Sequence, residues 1–135
     1  MKKNIWAIIA ARSGSKSIRD KNIKLLNKKP LIAYTIISAI KSRVFKKILV
    51  LTDSIKYAKI AKKYGAEIPF IRPKEISQDL STDNELYQFL IKFLDKKRIA
   101  PPDFFAHLSP VVPIRLNNVI KRGVEYFFRK KKLFE

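Results

Sequence analysis

Two short runs of apolar residues constrain the fold of this chain more than any other feature of its sequence. Trp6 to Ala11 (WAIIAA) is continuously apolar and runs into a cluster of Ser, Gly and Lys, and Lys47 to Thr52 (KILVLT) has the same character. A strand that is apolar along its whole length, rather than at alternate positions, is typical of a parallel sheet covered by helices on both faces. The sequence therefore predicts an α/β fold with two buried parallel strands.

Helical patterns alternate with these strands along the chain. Helices are predicted after Pro30, after a cap at Asp53 or Ser54 and ending at Gly65, after caps at Ser81, Thr82 or Asp83, and after Asn117 or Asn118, with further strands at Glu67–Ile71 and Phe104–Leu108. This alternation requires right-handed crossovers and predicts a Rossmann-like three-layer αβα sandwich with a mainly parallel sheet. At 135 residues the chain corresponds to one domain, residues 1–135. Because ligands of open sheets bind beyond the carboxyl ends of the strands, we expect the site in the loops after Ala11, Thr52, Ile71 and Leu108.

The charge and the cysteine count limit the classes of partner. Lys and Arg number 30 against 11 Asp and Glu, so the formal net charge is +19, which favours anionic partners, although many of these charges only solvate the surface. The chain has no cysteine, which excludes disulfides and thiolate metal sites. The apolar run near the amino terminus is too short to span a bilayer, so we expect a cytoplasmic protein without a membrane partner.

The loop after the first strand has the composition of an anion site. Residues 12–22 (RSGSKSIRDKN) contain four cations, three serines and one glycine. Backbone N–H groups in such a loop, together with Arg and Lys side chains, form a concave site suited to phosphate, whereas an ordinary solvated connection would have a similar composition. The loop is neither a Walker P-loop nor a dinucleotide-binding fingerprint, because the required glycines are absent.

Four stretches in order resemble the motifs of one family. IIAARSGSKSIRDKN (8–22) is similar to I-I-P-A-R-G-G-S-K-G-I-P-x-K-N, and KPLIAYT (29–35), LTD (51–53) and AKKYGAEIPFIRP (61–73) have counterparts further along. These motifs are those of the acylneuraminate cytidylyltransferases, or CMP-sialic acid synthetases. The resemblance implies a fold of the nucleotide-diphospho-sugar transferase type, with residues 1–135 as a single CTP-binding nucleotidyltransferase domain.

The resemblance also implies a reaction and a set of site residues. Members of the family transfer CMP from CTP to an acidic nine-carbon sugar and release pyrophosphate with the help of Mg²⁺, so CTP and an acidic sugar are the expected partners. The residues expected to act on the phosphates, by the resemblance, are Arg12, Lys16 and Lys21. The residues expected to bind substrate are Ala11, Ser13, Gly14, Ser15, Asn22, Arg72, Thr82, Ser109 and Arg115.

Several of these residues also have a simpler, structural interpretation. Arg72 has the alternative of a solvated residue at a strand end, Thr82 is explained equally well as a helix cap, and for Asp53 we favour a helix cap over a metal ligand. Ser109 stands where the family has Gln, which shortens the reach of a hydrogen bond to a ligand. His107, the one histidine, is expected to be a strand residue.

The resemblance covers only the amino-terminal part of the family pattern. We therefore expect the fold to be truncated at its carboxyl terminus, without the family's dimer segment, much of the sugar pocket or the aspartates that bind Mg²⁺, although a homodimer stays open. Two other functions remain alternatives: a truncated, catalytically weak nucleotide-binding remnant, and a basic nucleic-acid-binding module. Specific nucleic-acid binding is not expected, because net charge is its only support.

Overall fold

A computed structural model of the chain describes residues 3–14, 18–112, 115 and 118–131. The regular elements are β1 (Ile5–Ala10), β2 (Leu25–Leu26), β3 (Lys29–Pro30), α1 (Leu31–Ser42), β4 (Lys47–Leu51), α2 (Ile55–Lys63), α3 (Asp83–Lys96), β5 (Phe104–Leu108) and α4 (Val119–Lys131), with 3₁₀ turns at Lys21–Ile23 and Lys74–Ile76. The strands and helices predicted from the apolar runs are present within one or two residues of their expected limits, except at residues 67–71.

The main sheet is parallel and has the strand order β4-β1-β5. Ile8 of β1 lies opposite Leu49 on one side and His107 on the other. The central strand is therefore hydrogen-bonded along both edges, and its residues from Ile5 to Ile9 are buried. This arrangement confirms the interpretation of the continuous apolar run, because a strand covered on both faces has no solvent side for polar residues.

Helices cover the sheet on both faces and complete three layers. On one face Ile9 and Val50 pack against Ile32 and Ile36 of α1 and Tyr57 of α2. On the opposite face the apolar side of α3 packs against the alternate residues of β1 and β4. This cluster contains Trp6, Ile8, Leu49, Leu51, Leu86, Leu90 and Leu94. The last helix, α4, is held against β5 by edge-to-face contacts of Phe104 with Phe127 and Phe128. The predicted αβα sandwich is confirmed.

The predicted strand at Glu67–Ile71 is wrong in detail. The segment lies along the outer edge of β4 but forms only isolated bridges in the described structure, Leu49 with Glu67 and Thr52 with Ile71. Glu67 donates its N–H to the Ile48 carbonyl at 2.8 Å and accepts from the Val50 N–H at 3.0 Å. The next donor of a parallel ladder would be residue 69, which is a proline without an N–H, so the pairing is interrupted.

The helix ends follow local side-chain chemistry. The Ser54 hydroxyl caps α2 by accepting from the Tyr57 N–H, which excludes Asp53 from the capping role that we favoured. Thr82 and Glu85 form a reciprocal capping box at the start of α3. Gly65 follows α2 with φ 106°, as its position in the sequence predicts. Asn117, the other predicted start of α4, lies outside the described residues, and the helix begins after Asn118.

Candidate functional site

The candidate site lies at the carboxyl end of β1, where the anion-binding loop begins. Ala11 donates its N–H to the Leu51 carbonyl at 3.0 Å and is fully buried, so the chain leaves the sheet only after this residue. Asn22, at the far end of the loop, is 7% exposed and donates its Nδ2–H to the Arg12 carbonyl at 3.0 Å. The buried side-chain amide of Asn22 therefore joins the two ends of the predicted loop.

Asp53 holds the first turn of this loop from the neighbouring strand. Its Oδ1 accepts from the Ser13 N–H at 2.8 Å, and its Oδ2 accepts from the Ser13 hydroxyl at 2.9 Å. Because β1 and β4 are parallel neighbours, the residues that follow them meet at one edge of the sheet. Sequence reasoning missed this contact, although two polar residues placed just beyond paired strands were the available signal.

Arg12 faces an open cleft beside the loop. Its Nη1 lies 2.9 Å from Oδ1 of Asp79, and the two side chains are 28% and 40% exposed. Arg12 and Gly14 line the cleft with the segment Ser77–Leu80, and its volume is about 610 Å³. Cavities of roughly 300–1,000 Å³ are the usual size of small-molecule sites. The guanidinium is thus positioned at a ligand-sized opening and holds an internal carboxylate there.

Arg72 is a buried residue and not the solvated strand end that its position allowed. It is 7% exposed, its N–H is donated to the Thr52 carbonyl at 2.8 Å, and its Nη2–H is donated to the Ile76 carbonyl at 2.6 Å. Its Nε–H is buried without a hydrogen-bond partner among the described residues. Burial lowers the pKa of the Arg72 guanidinium, an effect that the negative charge of Asp53 opposes and the positive charge of Arg12 reinforces.

Lys21 follows a sharp turn that is fastened to α2. Asp20 adopts a left-handed conformation with φ 52°, and its Oδ1 accepts from the Tyr57 hydroxyl at 2.7 Å. Burial, and next the hydrogen bond to Asp20, raise the pKa of the Tyr57 hydroxyl, so this group stays protonated and donates. The turn therefore gives Lys21 a defined starting position at the end of the loop.

Ser109 and Arg115 form a second group, centred on α1. The buried Thr35 hydroxyl donates to the Ser109 carbonyl at 2.8 Å and accepts from Nη1 of Arg115 at 2.8 Å, while Nη2 of Arg115 donates to the same carbonyl at 3.2 Å. The Ser109 hydroxyl accepts from the Val111 N–H within its own loop. Burial lowers the pKa of Arg115. These contacts connect the loop after β5 to α1, and sequence reasoning did not identify Thr35 as their centre.

The remaining predicted residues have simpler positions. The Thr82 hydroxyl accepts from the Glu85 N–H at 3.1 Å, which accounts for Thr82 as a cap. Ser15 and Lys16, with Ser17, lie outside the described residues. His107 is a residue of β5, as expected, and its Nδ1 lies 2.8 Å from the Tyr87 hydroxyl, whose pKa burial raises to about 12.

No preformed magnesium site is found among the described residues. No group of three His, Cys, Asp or Glu in this part of the chain has the arrangement of a metal site. The carboxylates of Asp20, Asp53 and Asp79 bind Tyr57, Ser13 and Arg12. Mg²⁺ is usually held by one or two carboxylates together with substrate phosphates and waters, so an ion at this site would depend on the bound nucleotide for its other ligands.

Sequence comparison places this site within a known family. The sequence profile of the family described as cytidylyltransferase matches residues 6–99, which include β1 except Ile5, the loop, Asp53 and Arg72. The chain belongs to the cytidylyltransferase family. Similar proteins include an N-acylneuraminate cytidylyltransferase of Escherichia coli, 39% identical over 94% of this chain and 29% of the relative. A CMP-N,N'-diacetyllegionaminic acid synthase of Legionella pneumophila is 38% identical over 90% of this chain and 52% of the relative. The resemblance on which we based the site is confirmed.

The architecture of this chain is also found in solved structures. A CMP:2-keto-3-deoxy-manno-octonic acid synthetase complexed with CTP superposes with a TM-score of 0.69 at 19% identity, covering 96% of this chain and 47% of that one. A cytidylyltransferase from Leptospira borgpetersenii gives a TM-score of 0.68 at 20% identity, covering 94% and 50%. The chain thus has their fold and spans about half their length. In its described part, no helix is long and apolar enough to cross a membrane.

Proposed function

We propose that this chain binds CTP at the loop after β1 and serves the transfer of CMP to an acidic nonulosonate sugar, with release of pyrophosphate. The observation that carries the proposal is Arg12, whose guanidinium faces a ligand-sized cleft and already binds a carboxylate. Membership in the cytidylyltransferase family and relatives named for N-acylneuraminate, legionaminic and pseudaminic acids support the choice of nucleotide and sugar.

The chemistry of such a transfer suits a cationic loop. A sugar hydroxyl oxygen bonds to the α-phosphorus of CTP, the bond from that phosphorus to the β-phosphate oxygen breaks, and the hydroxyl proton is released. Negative charge accumulates on the departing pyrophosphate, so the protein contributes mainly position and positive charge. In this proposal Arg12, Lys16 and Lys21 supply the charge, and Ala11, Ser13, Gly14, Ser15 and Asn22 shape the loop around the phosphates.

Two further groups are assigned to the rest of the substrates. Arg72 lies close enough to Arg12 for their charges to interact, which supports a place for it beside the phosphates or the sugar carboxylate. Thr82, Ser109 and Arg115 are proposed for substrate contacts outside the cleft of Arg12, and each already has an internal partner. Their contribution is therefore expected to be smaller than that of the cationic loop.

A phosphate that binds Arg12 competes with the ion pair between Arg12 and Asp79. Asp79 occupies the guanidinium in the free protein, and the pair is partly exposed to water. Exposed ion pairs contribute only about 0–1 kcal/mol. We therefore expect a triphosphate to compete effectively with Asp79 for the guanidinium of Arg12.

Isothermal titration calorimetry with CTP tests the proposal. We expect Arg12→Ala and Lys16→Ala each to weaken binding about tenfold to a hundredfold, since one charged hydrogen bond is lost. Lys62→Ala is the matched control, because Lys62 is an exposed cation on α2 away from the loop. Equal small losses in all three variants would show that only diffuse charge matters, and no heat with the unaltered protein would end the proposal.

A nucleotide-binding protein without turnover is the second candidate. Release of pyrophosphate from CTP in the presence of an acidic nonulosonate and Mg²⁺ separates the two. Release above background supports the transferase, whereas CTP binding without release supports the nucleotide-binding protein.

A further inference from the structure

Asp53, the last residue of the LTD stretch, lies near the loop and does not have the capping role that we favoured for it. The residue after it, Ser54, caps α2, so the Asp53 carboxylate is not required at the helix start. Both of its oxygens instead bind one residue on another strand's loop, at 2.8 Å from the Ser13 nitrogen and 2.9 Å from the Ser13 hydroxyl. Two bonds to one residue restrain both its position and its orientation.

The rigid framework behind Asp53 makes this restraint effective. Asp53 directly follows two fully buried residues, Leu51 at the end of β4 and Thr52 just beyond it. The Thr52 carbonyl accepts from the Arg72 N–H at 2.8 Å, which attaches the loop that follows residues 67–71 to the end of β4. A carboxylate that follows a buried strand transfers the precision of the sheet to the turn at Ser13 that it binds.

The negative charge of Asp53 allows its effect on the shape of the turn to be distinguished from its electrostatic effect on phosphate binding. A carboxylate beside a phosphate site opposes binding by repulsion between like charges. Any benefit that Asp53 brings to phosphate binding must therefore come from the shape that it imposes on the turn. Its negative charge is partly balanced by Arg72, whose guanidinium it helps to keep protonated in a buried position.

We propose that Asp53 is a positioning residue of the nucleotide site: by binding the amide and the hydroxyl of Ser13, it shapes the turn so that Arg12 and Gly14 face the cleft. This inference rests on the proposed function, because it takes CTP as the ligand. Asp53 itself touches no substrate in this scheme.

Asp53→Ala and Asp53→Asn test the proposal as a pair. Alanine removes both bonds, and we expect CTP affinity to fall about tenfold or more. Asparagine can still accept from the Ser13 N–H, and its amide can donate to the Ser13 hydroxyl, so it keeps the geometry while removing the charge. We therefore expect Asp53→Asn to bind CTP within about threefold of the unaltered protein, or more tightly.

Two further variants provide a second test and a control. Ser13→Ala removes one bond from the loop side, and a smaller loss than that of Asp53→Ala is expected, which keeps the proposal testable if Asp53→Ala does not fold. Asp95→Ala, an exposed carboxylate on α3, is the control and should leave affinity unchanged. Circular dichroism and thermal unfolding establish that each variant is folded at the temperature of the titration.

Amide hydrogen exchange at Ser13 reads the restraint without any nucleotide. We expect faster exchange in Asp53→Ala and near-normal exchange in Asp53→Asn. CTP affinity of folded Asp53→Ala within twofold of the unaltered protein would overturn the inference, as would Asp53→Asn binding as weakly as Asp53→Ala. If the unaltered protein binds no CTP, the proposed function fails, and exchange alone decides: faster exchange confined to Asp53→Ala upholds Asp53 as the residue that shapes the turn, and equal exchange overturns it.

Discussion

Two regions of this domain, a closed one and an open one, differ in how completely their side chains are buried. The first, formed by β1, β4 and the helices α1 to α3, contains the fully buried side chains, with clusters on both faces of the sheet. The second, formed by β5 and α4, has no buried residue in the part of the chain that the structure describes. Both regions are rich in apolar residues, so the difference lies in how many neighbouring elements cover them.

The second region is held by a small number of specific contacts. Phe104 contacts Phe127 and Phe128 edge to face, and α4 borders an apolar cavity of about 380 Å³ beside β5. Phe127 remains 49% exposed. The comparison teaches that the first region gains its stability from burial, whereas the second depends on its ladder with β1, on aromatic contacts and on the hydrogen bonds around Thr35.

The largest effect should distinguish the two regions directly. Ile8→Ala removes a fully buried side chain from the central strand and should lower the free energy of unfolding by about 2–5 kcal/mol. Phe127→Ala removes a half-exposed ring and should cost about 1 kcal/mol. Urea unfolding measures both. Equal losses would contradict the distinction between a closed and an open region.

Thr35 joins the two regions, and its removal should have an intermediate effect. Thr35→Val keeps the shape but deletes the hydroxyl that binds the Ser109 carbonyl and Arg115. We expect a loss of about 1–3 kcal/mol, because a partly buried carbonyl and guanidinium each lose a partner. Urea unfolding with Thr35→Ser as the hydroxyl-retaining control checks this. A Val variant as stable as the Ser variant would show that the loop after β5 is held by other contacts.

Within the closed region, Thr82 tests whether a predicted site residue acts only as a cap. Thr82→Ala should destabilise by about 1 kcal/mol through loss of the capping box at α3. Thr82→Ser preserves the cap and serves as the control. Thermal unfolding measures the cap, and CTP titration at a temperature where both are folded measures the site. An affinity loss in the Ala variant larger than about threefold would assign Thr82 a contact with substrate as well.

The smallest effect concerns pH at the boundary between α3 and β5. Burial raises the pKa of Tyr87 from 10.0 to about 12, so its contribution to stability is complete below pH 10 and is lost as the pH rises towards 12. Tyr87→Phe should therefore show a shallower loss of stability over this range. Urea unfolding at a series of alkaline pH values measures the slope, and Tyr126→Phe on the exposed face of α4 is the control. Identical slopes for the Tyr87 variant and the unaltered protein would contradict the role of burial.

Much of the fold was predictable from particular residues. The continuous apolar runs of β1 and β4, Gly65 after α2 and the Thr82 cap each act locally, so their structural consequences can be derived from the sequence. The strand expected at 67–71 failed because Pro69 interrupts the ladder, a consequence that depends on which edge the segment pairs with. The hairpin of β2 and β3 was missed because strands of only two residues carry no periodic pattern.

The candidate site, like the fold, was only partly predictable from the sequence. The cations of the loop after β1 were identified from composition and motif, and Arg12 does face a cleft. The partners of these residues were not, because Asp53, Asp79 and Asn22 reach the loop from distant positions in the chain or across a turn. Burial of Arg72 likewise depends on the packing of elements that its own neighbours do not reveal.

By itself the sequence determined the class of fold, the order of its strands and helices and the place of the cationic loop, since apolar periodicity, caps and prolines act over a few residues. Only the tertiary structure decided that Asp53 binds Ser13 instead of capping α2, that Arg72 is buried and that β5 with α4 stays open. These outcomes depend on which strand ends become neighbours in the parallel sheet, and that adjacency arises from long-range packing.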